Sequence, residues 1–137
     1  MLTKLQEEQL IQQAADARRY ARVPMSGFRV GAALLTTDGS VFTGCNVELE
    51  KMLYSICAER CAVTKAVSEG YQDFLAIAIV SDQKAPVSPC GTCRQFLYDF
   101  GSDLQVILSN PDGSRIFRIT IKDLMPKAFT GPDEGLC

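Results

Sequence analysis

Apolar positions fall at helical spacing near the start of the chain. Leu10, Ile11, Ala14, Ala15 and Ala17 share one side of residues 3–22, with charged and amide residues between them. Thr3 and Gln6 stand at the spacing of a capping box, so the pattern predicts an amphipathic helix from Thr3 to about Arg22, packed on a sheet by its small side chains. Val23-Pro24-Met25-Ser26-Gly27 reads as a loop. Two apolar runs follow, Val30–Leu35 and Val41–Val47, joined through Asp38-Gly39, and together they predict a β-hairpin. Residues 48–56 show no clear period and read as an irregular segment. Ala58–Glu69, rich in alanine and stopped by Gly70, reads as a second helix.

Further along, Phe74–Val80 is continuously apolar and fits a strand buried on both faces. Ser88 as N-cap and Pro89 as first helical residue predict a third helix through Tyr98, ending by Gly101. Strands are expected at Leu104–Leu108 and Arg115–Ile119 around the turn Asn110-Pro111-Asp112-Gly113, then a short helix from about Ile121 to Met125 ahead of Pro126. The fold class is therefore α/β: one layered domain over residues 1–137, a central five-stranded mixed sheet with helices packed on its faces, and a loose tail from about residue 130.

Cysteine spacing brings chemistry into this frame. Cys90 and Cys93 are three apart near a helix start, and Cys57 stands at the start of another helix. Helix N-termini favour the thiolate, and three thiolates leave a zinc ion with an open fourth position, the arrangement of catalytic sites. A C-x-x-C pair alone fits a buried pair or a redox pair about as well as a metal site. The further pattern, Cys57-Ala58-Glu59 followed by Pro89-Cys90-x-x-Cys93, is that of zinc deaminases in three-cysteine form. Cys61, one turn beyond Cys57, competes as a ligand but fits the pattern less well; it and Cys45 read as core residues, and Cys137 as a free thiol. Arg60 and Arg94 are placed to offset the thiolate charge without ligating the metal. Glu59, two residues from a ligand, can exchange protons with a metal-activated water, and its alternative is a solvated helix carboxylate.

Composition narrows the field. The chain has no histidine, which excludes Ser-His-Asp and Cys-His catalysis and any zinc site containing histidine. A formal charge of −2 with no long basic stretch argues against RNA or DNA as partner. The polar, charged residues 1–8 read as neither a signal peptide nor a membrane anchor, and the expected location is the cytoplasm. In that reducing setting, six cysteines point to metal or redox chemistry more than to disulfides.

The chain resembles the small homotetrameric cytidine deaminases. The resemblance rests on Phe28-Arg29-Val30-Gly31-Ala32-Ala33-Leu34-Leu35, Gly44-Cys45-Asn46-Val47-Glu48, Cys57-Ala58-Glu59-Arg60, Lys65–Gly70, Ser88–Gln95 and Leu124-Met125-Pro126 with Phe129. It implies that Cys57, Cys90 and Cys93 hold Zn²⁺, that Glu59 shuttles protons, and that the Ala58 backbone helps hold a pyrimidine. It further implies that Arg60 bonds ligand thiolates and that Asn46 and Glu48 contact ribose, where the residues alone favour an exposed turn pair. Phe28 would line the pocket, whereas Phe129 would reach the pyrimidine of a neighbouring subunit. The implied reaction is hydrolytic deamination of cytidine and 2′-deoxycytidine in pyrimidine salvage. The sequence departs from the family at Leu49-Glu50-Lys51-Met52 and at Met25, segments bordering the sugar pocket and subunit contacts. Other readings are a relative acting on another aminopyrimidine nucleoside, and a zinc module without catalysis.

Overall fold

Thr3 opens the first helix as its capping box requires. Its Oγ1 accepts from the Gln6 N–H at 3.1 Å, and the Gln6 Oε1 accepts from the Thr3 N–H at 2.9 Å. This helix, α1, spans Lys4–Ala17 in the computed structural model, which describes residues 2–130. It stops short of Arg22. Arg18–Tyr20 tighten into a 3₁₀ turn, and Arg22 then extends to bridge Val47, with the Arg22 N–H on Asn46 O at 3.0 Å and the Glu48 N–H on Arg22 O at 2.7 Å. Backbone groups committed to a bridge cannot continue a helix, and Pro24 favours an extended Val23 in any case.

Strands β1 (Val30–Thr36), β2 (Val41–Cys45), β3 (Phe74–Ser81), β4 (Gln105–Ser109) and β5 (Ile116–Thr120) form one sheet in the order β2-β1-β3-β4-β5. Only β3 and β4 run parallel; the other neighbours are antiparallel, so the sheet is mixed as expected. The antiparallel pairing of Val30 with Ser81 sets the start of β1 beside the end of β3. Helix α2 covers Ala58–Ser68, α3 covers Gly91–Tyr98 and α4 covers Ile121–Leu124.

Strand alternation divides the core into two layers. On one face Ala32, Leu34, Ile77, Ile79, Val106 and Leu108 pack with Ala62, Val63 and Ala66 of α2 and Leu97 of α3. On the other, Ala33, Leu35, Ala76, Ala78, Val80 and Ile107 pack with Leu10, Ile11, Ala14 and Ala15 of α1. Small residues let the helices sit close. A Cβ on Gly31 would lie 1.9 Å from the Ala14 carbonyl oxygen of α1, and one on Gly44 would lie 2.5 Å from the Ala62 nitrogen and 2.6 Å from the Ala58 oxygen of α2. Gly44 thus fixes the depth at which the first turn of α2 rests on the sheet. The sequence reading of a loose tail, and of Cys137 as a free thiol, lies outside the described residues.

Candidate active site

Two helix N-termini meet at the carboxyl end of β3. Cys57 is the N-cap residue of α2. It is delivered there by a bridge between Val47 and Ile56, whose two N–H···O bonds are both 2.9 Å. The segment read as irregular therefore contains that bridge and a 3₁₀ turn at Met52–Tyr54. Cys90 is the N-cap residue of α3, and Cys93 lies in its first turn. The expected start at Ser88-Pro89 is two residues early. The Ser88 hydroxyl accepts from Arg94 Nη2 at 2.8 Å and the Pro89 carbonyl accepts from Arg94 Nε at 2.8 Å, so these groups cap the arginine instead of the helix. Arg94 also donates to Leu124 O at 3.2 Å. It therefore binds backbone and a serine, not the sulfurs.

The three sulfurs of Cys57, Cys90 and Cys93 lie within 4.8 Å of one another, with Cys57 Sγ and Cys90 Sγ 3.9 Å apart. Tetrahedral zinc with thiolate bonds of about 2.3 Å sets sulfurs about 3.8 Å apart, so the set fits the ion. Among the described residues no other group of three or more cysteine or carboxylate side chains converges in this way. Cys61 and Cys45 stand outside the set, as expected, but are half-buried and not part of the core. Arg60 Nη2 reaches Cys57 Sγ at 3.7 Å and Ser55 O at 3.4 Å, while its buried Nε has no partner among protein atoms. The Cys57 thiol is pulled down to about 5, first by its hydrogen bond with Cys93 and then by Arg60 and Cys90, against the effect of burial. That same bond and then burial push the Cys93 thiol up.

Glu59 follows two residues after Cys57 and is 4% exposed. Burial is the main cause that raises its pKa, and the charge on Cys57 adds to it; its own backbone N–H, Cys93 and Arg60 oppose the shift. Glu59 lines a cavity of about 270 Å³ together with Cys57, Ala58 and Cys90, and with Phe28 and Asn46 from the other end. Val30, Ile79, Ser81 and Val87, with Ser88 and Pro89, complete the walls, and none of them was expected there. The two-residue spacing of Ile79 and Ser81 at the end of β3 was the available signal, since it puts both on one face.

Asn46 uses its Oδ1 to accept the Val30 N–H at 2.9 Å and its Nδ2 to donate to Phe28 O at 2.8 Å, which leaves one amide hydrogen. Glu48 is buried at 7% exposure but is not among the cavity residues. Its carboxylate is held below the usual range chiefly by the Ser26 hydroxyl, with the Ser26 and Met25 N–H groups assisting against burial. Phe129 is 50% exposed, its carbonyl accepting from Gln95 Nε2 at 3.1 Å, and it too stands outside the cavity.

Convergent thiols at two helix N-termini, with a buried carboxyl in the same cavity, make the centre of a metal-assisted hydrolase. Residues 4–109 match the family model described as the cytidine and deoxycytidylate deaminase zinc-binding region, and the chain belongs to that family. It is 48% identical over 130 residues to a cytidine deaminase from Halalkalibacterium halodurans, covering 94% of this chain and 98% of the relative. A probable cytidine deaminase from Dictyostelium discoideum is 47% identical over 92% of this chain and 85% of its own length. Among solved structures, cytidine deaminase from Burkholderia pseudomallei superposes with a TM-score of 0.86 at 42% identity, over 93% of this chain and all of that one.

Proposed function

We infer that this chain is a zinc-dependent hydrolase that converts cytidine and 2′-deoxycytidine to uridine and 2′-deoxyuridine with release of ammonia. The observation that carries the reading is the buried Glu59 in the wall of the cavity that also exposes Cys57 and Cys90. Cys57, Cys90 and Cys93 would hold the ion. The chemistry zinc supplies when bound is a water acidic enough to serve as nucleophile near neutral pH. Glu59 would carry one proton of the attacking water to ring N3 and the second to the amino nitrogen, which departs as ammonia. Its raised pKa suits a group that must hold a proton between transfers. Histidine is not needed, and the chain has none.

The remaining residues bind and orient. Ala58, fully buried at the cavity wall, offers backbone to the pyrimidine edge, and Phe28 covers its face. The free amide hydrogen of Asn46 and the carboxylate of Glu48 serve the sugar hydroxyls. Arg60 tempers the charge of the thiolates through Cys57. The assembly that fits is a homotetramer in which Phe129 reaches a neighbour's cavity. Exposed apolar side chains at Leu49, Met52, Leu53, Tyr54 and Ile56, with Leu53 at 87%, favour a covered surface there. A nucleoside in the cytoplasm, rather than a nucleic acid or a lipid, is the partner this charge and cavity favour. No described helix is long and apolar enough to cross a membrane.

The test is ammonia release from cytidine and 2′-deoxycytidine by zinc-loaded and chelator-treated protein, with the mass of the active species measured by light scattering. Release that the chelator abolishes and zinc restores is the expected result. No release from zinc-loaded protein overturns the function, and an active monomer overturns the shared site.

A further inference from the structure

In the loop that carries Phe28 into the cavity, one hydroxyl makes two of the ties. Ser26 Oγ donates to Glu48 Oε2 at 2.5 Å and accepts the Phe28 N–H at 3.0 Å. Glu48 Oε1 meanwhile accepts the N–H groups of Met25 and Ser26, both at 3.1 Å. Between Ser26 and Phe28, Gly27 takes a φ of +67°, a left-handed turn that brings the Phe28 amide back onto the serine hydroxyl. On its far side Phe28 is held by its carbonyl, which accepts from Asn46 Nδ2 at 2.8 Å. The aromatic wall is thus pinned at its N–H by Ser26 and at its C=O by Asn46.

We propose that Ser26 is a positioning residue for nucleoside binding, acting through Phe28 and Glu48 and making no contact of its own with the substrate. The proposal rests on the deaminase reading above. Ser26 is exposed and stands outside the cavity lining, so neither packing nor direct contact accounts for its two hydrogen bonds. Without the hydroxyl, the Phe28 N–H loses its acceptor and the buried Glu48 carboxylate loses the shortest of its three bonds. The bonds to the Met25 and Ser26 N–H groups remain, so the loop would loosen without detaching. Glu59 and the three cysteines lie on other elements, α2 and α3 with their caps, and the proton transfers are left intact.

Steady-state kinetics of zinc-loaded wild type, Ser26→Ala and Ser26→Thr on cytidine would decide the matter, with the inhibition constant for uridine measured alongside. A lost hydrogen bond to a charged, buried group predicts that Ser26→Ala raises KM about tenfold or more and weakens uridine by a similar factor. The kcat should stay near wild type, the signature of binding lost equally in ground and transition states. Ser26→Thr, which keeps the hydroxyl, should restore both constants. An unchanged KM in Ser26→Ala, a loss confined to kcat, or a threonine variant as impaired as the alanine one overturns the role of Ser26. A wild type inert to cytidine and 2′-deoxycytidine overturns the function itself.

Discussion

Replacing Gly44 with alanine should disturb the active site from beneath. A Cβ at this position of β2 would stand 2.5 Å from the Ala62 nitrogen, 2.6 Å from the Ala58 oxygen and 3.0 Å from Cys61 Cβ, where ordinary contact begins at 3.4 Å. Two of these three atoms are helix backbone, so no side-chain rotation relieves them; the first turn of α2 must retreat by about 1 Å to reach ordinary contact. Overpacking of this kind costs about 1–3 kcal/mol. For a chain of this size that lowers Tm by about 4 °C per kcal/mol, hence by about 4–12 °C. Because the retreating turn carries Cys57 and Glu59, and a shift of about 1 Å at a reacting group can cost on the order of 10²-fold, kcat should fall as well. Thermal melts and cytidine kinetics below the transition measure both. Gly31→Ala is the control. Its Cβ would strike α1, on the opposite face, at 1.9 Å from the Ala14 oxygen, so it should lower Tm further and spare kcat of the folded fraction. A Gly44→Ala protein with wild-type Tm and kcat refutes the reasoning. Equal loss of kcat in both variants would show that activity follows global stability and not the seat of α2.

Two other outcomes are expected. Glu59→Gln keeps the size and polarity of the side chain but cannot carry protons, so kcat should drop by about 10² or more while zinc per chain, measured by elemental analysis, stays constant; ordinary turnover would count against the proton role. Asp82 supplies a pH test of stability. Burial works against its charge, but the Arg29 N–H at 3.2 Å and the guanidinium groups of Arg29 and Arg18 outweigh it and hold its pKa below the usual value. The unfolded chain then takes up the proton first, at about pH 4, so the stabilisation is complete above that pH and is lost as pH falls through the lower folded value. The Tm gap between wild type and Asp82→Asn should therefore be widest near neutrality and narrow below pH 4. A gap that stays constant into acid would contradict this.

Elements whose causes are local were legible in the chain itself. The Thr3–Gln6 cap, the Asp38-Gly39 hairpin and the run Phe74–Val80 each depend on neighbours in sequence, and each formed where expected. Residues 48–56 were not legible, because the bridge from Val47 to Ile56 depends on a β-partner nine residues away and carries no period of its own. The start of α3 misled for a related reason. Ser88 has the composition of an N-cap, but Arg94 claims its hydroxyl, a competition visible only once the helix exists. The convergence of Cys57, Cys90 and Cys93 was readable from spacing, since thiols at helix starts need little else to meet. The role of Ser26 was not, because a serine in a Pro- and Gly-containing loop looks like turn chemistry until Glu48 is found beside it.

Charge explains why the site is assembled from these elements and not others. Three thiolates and a carboxyl set this close together would repel one another, and burial alone would keep them protonated and unable to bind a metal. Partial positive charge from two helix N-termini counters this, and it is available only because Cys57 and Cys90 occupy N-cap positions with Cys93 one turn on. Arg60 adds a full charge at Cys57, whereas Arg94 is committed to Ser88, Pro89 and Leu124 and ties the α3 start to the end of α4. The division of labour between the two arginines follows from their partners. Arg60 stands three residues after the capping Cys57 and reaches its sulfur, whereas Arg94, four residues after the capping Cys90, is drawn instead to Ser88, Pro89 and Leu124. A hydrolytic centre without histidine thus depends on backbone geometry for the electrostatics that side chains more often supply, and displacing either helix start should weaken metal binding and proton transfer together.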